Sequence, residues 1–186
     1  LIEINQKALI LYHLEKLEAI GVKEVIINLH YHGDMIKSFL EDRTFPDIQI
    51  VYSEESEVLE TGGGIKKALP FFRNESFICV NADIFTDFDF TDLKLGLDSN
   101  SLGKLILVEN PEHNHTGDFS LDCEGKLLPP SSTGPATLTF TGISVLSPKL
   151  FDGFSDSKFR LVDVFLKAIS MGLLSGLKYD GAWYDV

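Results

Sequence analysis

Basic residues are in short supply. The 186 residues hold 16 Lys and Arg against 28 Asp and Glu, a formal net charge of -12. A surface of that sign repels a nucleic-acid backbone, so nucleic acid is not expected as a partner. A small phosphorylated substrate stays open, provided a metal ion and local donors offset the field. Most of the acidic residues read simply as solubilising. Cysteine is scarce too: Cys79 and Cys123 form neither a disulfide framework nor a metal-knuckle spacing. Cys79 falls in an apolar run and reads as a buried strand residue. Apolar runs all stop short of the roughly 20 residues needed to cross a bilayer, and the start carries no secretory signal. A cytoplasmic location without membrane contact is expected. No Gly-x-Ser-x-Gly elbow occurs, and no cysteine nucleophile is indicated.

What remains is globular in composition, 44% hydrophobic and 11% aromatic, and long enough to bury one substantial core. Leu11, Leu14 and Leu17 recur at helical spacing and predict a helix over Gln6–Ile20, stopped by Gly21. Lys23–Leu29 is a short β-rich run, apolar on both faces from Val25 to Ile27, as in a covered parallel strand. A helix over Asp34–Leu40 and a strand over Ile48–Tyr52 follow. A short helix then opens at Gly64 and closes at Pro70. Strands are predicted over Ser76–Asn81 and Lys104–Val108. After Asn110 the rhythm changes: strands at Phe119–Leu121 and Leu138–Val145 flank a loop with Pro129, Pro130, Gly134 and Pro135, and an amphipathic helix covers Phe159–Met171. Alternating strands and helices argue for a three-layer α/β fold with helices on both faces of the sheet.

Three places carry candidate chemistry. Leu59-Glu60-Thr61-Gly62-Gly63-Gly64 leads into a helix. Three glycines let a backbone approach a ligand closely, and free N–H groups at a helix start favour acceptors; an ordinary flexible turn explains them equally. It is neither a P-loop nor a dinucleotide fingerprint. Asn81-Ala82-Asp83 follows a buried strand, where α/β sheets present ligands. Asp83 there suits Mg²⁺, which needs only one or two carboxylates, whereas Asp87 or Asp89 reads as a cap. Asp185, in Trp183-Tyr184-Asp185-Val186, either completes that metal site or is a solvated acid beside a buried aromatic pair. His13 reads as a helix-packing or surface residue. His30, His32, His113 and His115 read as surface or loop residues and not zinc ligands. Arg160 reads as an exposed helix charge.

Together these pieces resemble the sugar-1-phosphate nucleotidyltransferases along nearly the whole chain. Leu1–Ile10 looks like the segment soon after that family's Gly-rich, Arg- and Lys-bearing nucleotide loop, with Ala8 where proline is common. Leu59–Gly64, Asn81–Asp83 and Trp183–Val186 match in order. Asn110-Pro111-Glu112-His113 with Gly117-Asp118-Phe119, and Thr139–Leu146, narrow the likeness to the branch that uridylylates N-acetylmuramate-1-phosphate in bacterial cell-wall recycling. The resemblance implies a Rossmann-like (GT-A-like) mixed sheet and one nucleotidyltransferase domain over 1–186, expected to lack its N-terminal nucleotide loop and C-terminal end. It implies UTP and a sugar-1-phosphate as substrates, and Mg²⁺ on Asp83 and Asp185. Thr61, Gly62, Gly63 and Gly64 would line the nucleotide base, and Asn81 and Asp118 would face the substrate. Other bases and sugars, as in mannose-1-phosphate guanylyltransferases or glucose-1-phosphate thymidylyltransferases, share the scaffold. A metal-dependent glycosyltransferase and a non-catalytic nucleotide-binding relative are the alternatives.

Overall fold

The computed structural model describes residues 1–98, 100–130 and 137–186; Gly134 and Pro135 of the expected loop lie outside them. In chain order the elements are β1 (Glu3–Ile4), β2 (Lys7–Ala8), α1 (Leu9–Ala19), β3 (Glu24–Leu29), α2 (Gly33–Glu41), β4 (Gln49–Glu54), α3 (Glu60–Ala68), β5 (Phe77–Val80) and β6 (Ile84–Thr86). They continue with β7 (Gly103–Val108), β8 (Phe119–Leu121), β9 (Leu127–Leu128), β10 (Thr137–Leu146), α4 (Leu161–Ser170), β11 (Leu174–Lys178) and β12 (Trp183–Asp185).

The main sheet is mixed. β11 runs parallel to β7, and β7 runs antiparallel to β10. The long strand β10 pairs with β8 through Thr137 and Leu138, and with β5 through Ile143 to Leu146. Side chains alternate across it as a strand period of two requires. Phe77, Leu105, Leu107 and Leu146 join Val164, Phe165 and Ala168 of α4 and Ile65 of α3 in one core cluster. Ile106, Ile143 and Val145 join Leu17 of α1 with Ile84, Phe88 and Phe90 in the other. Helices therefore cover both faces, giving the expected three layers. Phe165 meets Phe119 and Phe140 edge-on, at 6.2 and 5.5 Å between ring centres. Truncating a core aromatic of this kind costs about 3–5 kcal/mol.

Four expectations shift. The first helix begins at Leu9, not Gln6, because Asn5 and Gln6 adopt positive φ (51° and 64°) and close a two-residue hairpin between β1 and β2. β3 is parallel to β4 as expected. Yet Val25 to Ile27 are only partly buried, because β3 and β4 pair with no other strand among the described residues. The third helix starts at Glu60, so the three glycines lie inside α3 and not in a loop before it. Pro70 falls in a 3₁₀ turn that follows. The reason for the glycines is packing. A Cβ on Gly62 would meet the Phe159 ring at 2.6 Å, one on Gly63 would collide with the Ser157 carbonyl, and one on Gly64 with the Glu55 carboxylate. The segment before α4 thus lies directly on α3, and Phe159 belongs to that contact instead of to the last helix, which starts at Leu161.

Candidate active site

The site is built where β5 ends beside a kink in β10. Register slips between Phe140 and Ser144, and Gly142 takes φ +81° at the slip. The Thr141 hydroxyl donates to the Ile106 carbonyl (2.8 Å) and accepts from the Ile143 amide (3.1 Å), which pins the bulge. The Asn81 amide donates to the Gly142 carbonyl at 2.9 Å. A cavity of about 380 Å³ opens beside this junction, lined by Asn81, Asn114, Asp118, Thr139, Trp183 and Asp185 among others. That volume lies within the usual range for a small-ligand pocket, about 300–1,000 Å³.

One wall is the β6–β12 ladder. Asp185 stands opposite Ile84, and the Val186 amide donates to the Asp83 carbonyl at 3.0 Å. The backbones of Asp83 and Asp185, about a hundred residues apart in sequence, are thereby neighbours. Both acids are exposed; Asp185 lines the cavity and Asp83 lies just outside its lining. Trp183 is partly buried and Tyr184 is 60% exposed, so the terminal aromatics are not a buried pair. Trp183 Nε1 donates to the Thr141 carbonyl at 2.9 Å, tying β12 to the bulge.

Asn110 to Asp118 forms the opposite wall. Asp118 Oδ2 accepts from the Phe140 amide (2.8 Å), and Oδ1 accepts from Asn114 Nδ2 (3.3 Å). Asn114 Nδ2 also reaches the Thr139 hydroxyl (3.2 Å), which donates to Asn110 Oδ1 (3.0 Å). The loop is therefore fixed to β10 by side chains that line the cavity. It carries His113, whose Nε2 stands 3.6 Å from Asp185 Oδ2.

The segment expected to line the nucleotide, Thr61 to Gly64, stands apart from this cavity's lining. Thr61 is exposed, whereas Gly62, Gly63 and Gly64 are buried under the chain's own 157–159 segment and Glu55. The Gly63 amide is not free for a ligand: it donates to the Phe159 carbonyl at 3.2 Å. Arg160 pairs with Asp163 at 2.8 Å and remains exposed. Asp89 caps the 3₁₀ turn Phe90–Leu95, accepting from the Thr91 amide, as one sequence reading had it. Asp87 instead accepts from the Tyr179 hydroxyl and, more weakly, the Ala182 amide, which hold it below the usual carboxylate range. Cys79, packed against the α4-side core, has its thiol pushed up to about 12 by burial, so no nucleophile is available there.

For a metal, the donor chemistry fits a hard cation. Asp83 and Asp185 offer oxygen only, beside a polar cavity. Among the described residues no group of three or more His, Cys, Asp or Glu side chains gathers. A two-carboxylate anchor completed by water and substrate oxygens is what Mg²⁺ accepts and what Zn²⁺ structural sites do not use. In the sequence His113 reads as a surface or loop residue and Trp183 as one of a buried aromatic pair, and neither Asn114 nor Thr139 stands out as a site residue. The turn formers from Asn110 to Gly117 were the available sign that this loop has one built shape.

Residues 1–117 match the nucleotidyl transferase family. The whole chain is 37% identical to N-acetylmuramate alpha-1-phosphate uridylyltransferase of Neisseria meningitidis, of which it covers 82%. It is 27% identical over its full length to the protein of the same name from Caulobacter vibrioides, covering 81% of it. In fold it superposes on the crystal structure of HddC from Yersinia pseudotuberculosis complexed with GMP-PN, with a TM-score of 0.82 at 24% identity over 99% of this chain and 82% of that one. The chain belongs to the nucleotidyl transferase family, as a sugar-1-phosphate nucleotidyltransferase. No helix among the described residues is long and apolar enough to cross a membrane.

Proposed function

We propose that the protein transfers a uridylyl group from UTP to N-acetylmuramate-1-phosphate, giving UDP-N-acetylmuramate and pyrophosphate, and so serves peptidoglycan recycling in the cytoplasm. The observation that carries this reading is the cavity at the end of β5, where Asn81, Asp118 and Asp185 converge from three distant parts of the sequence. The 37% identity over this whole chain to the N. meningitidis uridylyltransferase supports the choice of base and sugar.

A phosphate oxygen of the sugar phosphate forms a bond to the α-phosphorus of UTP as the bond to the β-phosphate oxygen breaks, and pyrophosphate takes the electron pair. The nucleophile is already an anion, so positioning and charge neutralisation do the work and no strong base is required. Asp83 and Asp185 would hold Mg²⁺, which when bound neutralises charge on the phosphates. Asn81 and Asp118 face the sugar phosphate. Asp118 is oriented by Asn114 and the Phe140 amide, and the second lone pairs of its oxygens stay available to sugar hydroxyls. Thr61 is the open position on the α3 segment assigned to the nucleotide, with Gly62, Gly63 and Gly64 setting how closely that segment packs.

The test is pyrophosphate release by the full-length protein with Mg²⁺. UTP plus N-acetylmuramate-1-phosphate is set beside GTP plus mannose-1-phosphate. Turnover of the first pair alone is expected. Preference for the second would retain the reaction and overturn the substrate.

A further inference from the structure

We infer that His113 is a binding residue for the acceptor sugar phosphate and donates a hydrogen bond to one of its anionic oxygens. The inference rests on the sugar-phosphate reading of the cavity. Among the described lining residues, two are carboxylates, Asp118 and Asp185, and none is Lys or Arg. An anionic substrate entering there meets repulsion from both acids. The Asn114 and Trp183 N–H groups are spent on other acceptors; Asn81 can offer a neutral amide N–H, and His113 is the lining side chain that can offer an N–H and also carry positive charge.

Its geometry suits that task. The loop around it is locked. The Asn114 amide donates to the Pro111 carbonyl (3.0 Å) and the Gly117 amide to the Asn114 carbonyl (3.2 Å). Asn110 Nδ2 donates to the His115 carbonyl (3.2 Å) and to Thr137 Oγ1 (3.1 Å). Gly117, at φ +62°, is pressed so closely on Asn110 that a Cβ would lie 2.6 Å from Oδ1. These bonds fix the backbone on both sides of His113, while its ring makes no hydrogen bond among the described residues. Asp185 Oδ2, 3.6 Å from Nε2, is too far for one. Its ring lies 6.3 Å from that of Trp183, and its side chain is 56% exposed. A donor held in place with its N–H unused, over a cavity walled by acids, is preorganised for an anion. The neutral imidazole still keeps one N–H, so the contact does not require protonation.

Two groups of the proposed acceptor could receive this bond: its phosphate, or the carboxylate of the lactyl ether. The experiment compares wild type, His113→Ala and His113→Gln in full-length protein with Mg²⁺ and UTP. N-acetylmuramate-1-phosphate and N-acetylglucosamine-1-phosphate, which lacks the carboxylate, serve as substrate or competitor. The expected result for His113→Ala is a rise of about ten- to a hundredfold in the acceptor KM, the range for a lost hydrogen bond to a charged group. The KM for UTP and the melting temperature stay unchanged, and His113→Gln recovers part of the loss. Equal loss with both sugars places the bond on the phosphate; loss confined to the muramate places it on the carboxylate. An unchanged acceptor KM, or a parallel rise in the KM for UTP with a lowered melting temperature, overturns the inference. Wild-type inactivity on both sugars would instead refute the proposed acceptor. The same variants would then be read on whichever sugar phosphate the enzyme turns over.

Discussion

Gly142 and Asn81 stand so close that a Cβ on the glycine would lie 2.7 Å from the amide carbon Cγ of Asn81. The glycine also holds φ +81°. The bulge in β10 and the end of β5 are thus one fitted joint, and Asn81 projects from it beside the cavity.

Gly142→Ala is expected to fail on both counts. A left-handed conformation costs a non-glycine residue about 1–2 kcal/mol, and the clash adds about 1–3 kcal/mol more. Urea denaturation should show a loss of a few kcal/mol, and the acceptor KM should rise because Asn81 is displaced. Adding Asn81→Ala should recover only part of the clash, because the Asn81 Cβ it retains would still lie 2.8 Å from the new Cβ, and should not recover the acceptor KM. Additive losses in the double variant would mean the two residues do not press on each other.

Asp83→Asn and Asp185→Asn should each lower kcat by about a hundredfold or more, the scale of removing preorganised charge from a transition state. Both side chains are exposed, so the fold should be unaffected within about 0.5 kcal/mol. Mg²⁺ titration followed calorimetrically reads the same residues without turnover. Metal affinity unchanged in both variants would remove them from the metal site.

Gly63→Ala sets two effects against each other. Alanine gains roughly 0.5–1 kcal/mol over glycine inside a helix. The new Cβ, however, collides with the Ser157 backbone carbonyl, and overpacking costs about 1–3 kcal/mol. A net loss is expected, with α3 and the 157–160 segment parting together. Thr61→Ala, on the exposed side of the same helix, is the control and should leave stability nearly unchanged. If Gly63→Ala stabilised the protein, the glycines would owe their presence to something other than this contact.

These contrasts show what was legible in the chain. Strand positions were readable because apolar pairs such as Leu105 and Ile106 alternate into separate cores. The acids at Asp83 and Asp185 could be singled out by type and place. Their adjacency could not be, since it arises from the β6–β12 ladder and no local spacing encodes a long-range pairing. The triple glycine looked like a loop because glycine is a poor helix former. Tertiary packing overrode that propensity through Phe159 and Ser157, which lie about a hundred residues further on. His113 looked like any loop histidine. Its setting depends on Asn114, Asp118 and Thr139 closing a network that only the folded chain assembles.

His13 gives the last prediction. It lies in α1, 7% exposed, stacked 6.5 Å from Phe90, and neither ring nitrogen makes a well-formed hydrogen bond among the described residues, the Ile84 backbone being close but out of good geometry. Burial is the main cause that lowers its pKa to about 4; the charge of Lys16 adds to this, while the Ile84 backbone and Asp83 oppose it. Because the folded value lies below the unfolded 6.5, the unfolded chain binds the extra proton between these pH values. Stability from this residue is therefore full above pH 6.5 and is lost as pH falls toward 4, by roughly 3 kcal/mol in all. His13→Phe should keep the stack, flatten that part of the pH–stability curve, and raise stability at pH 7 by about 1–3 kcal/mol, because two buried unpaired nitrogens disappear. Urea midpoints at pH 7 and pH 5 for the two proteins decide it. Equal pH slopes would mean that another group, and not His13, titrates in this window. A less stable phenylalanine variant at pH 7 would mean that the imidazole contributes a contact beyond the stack.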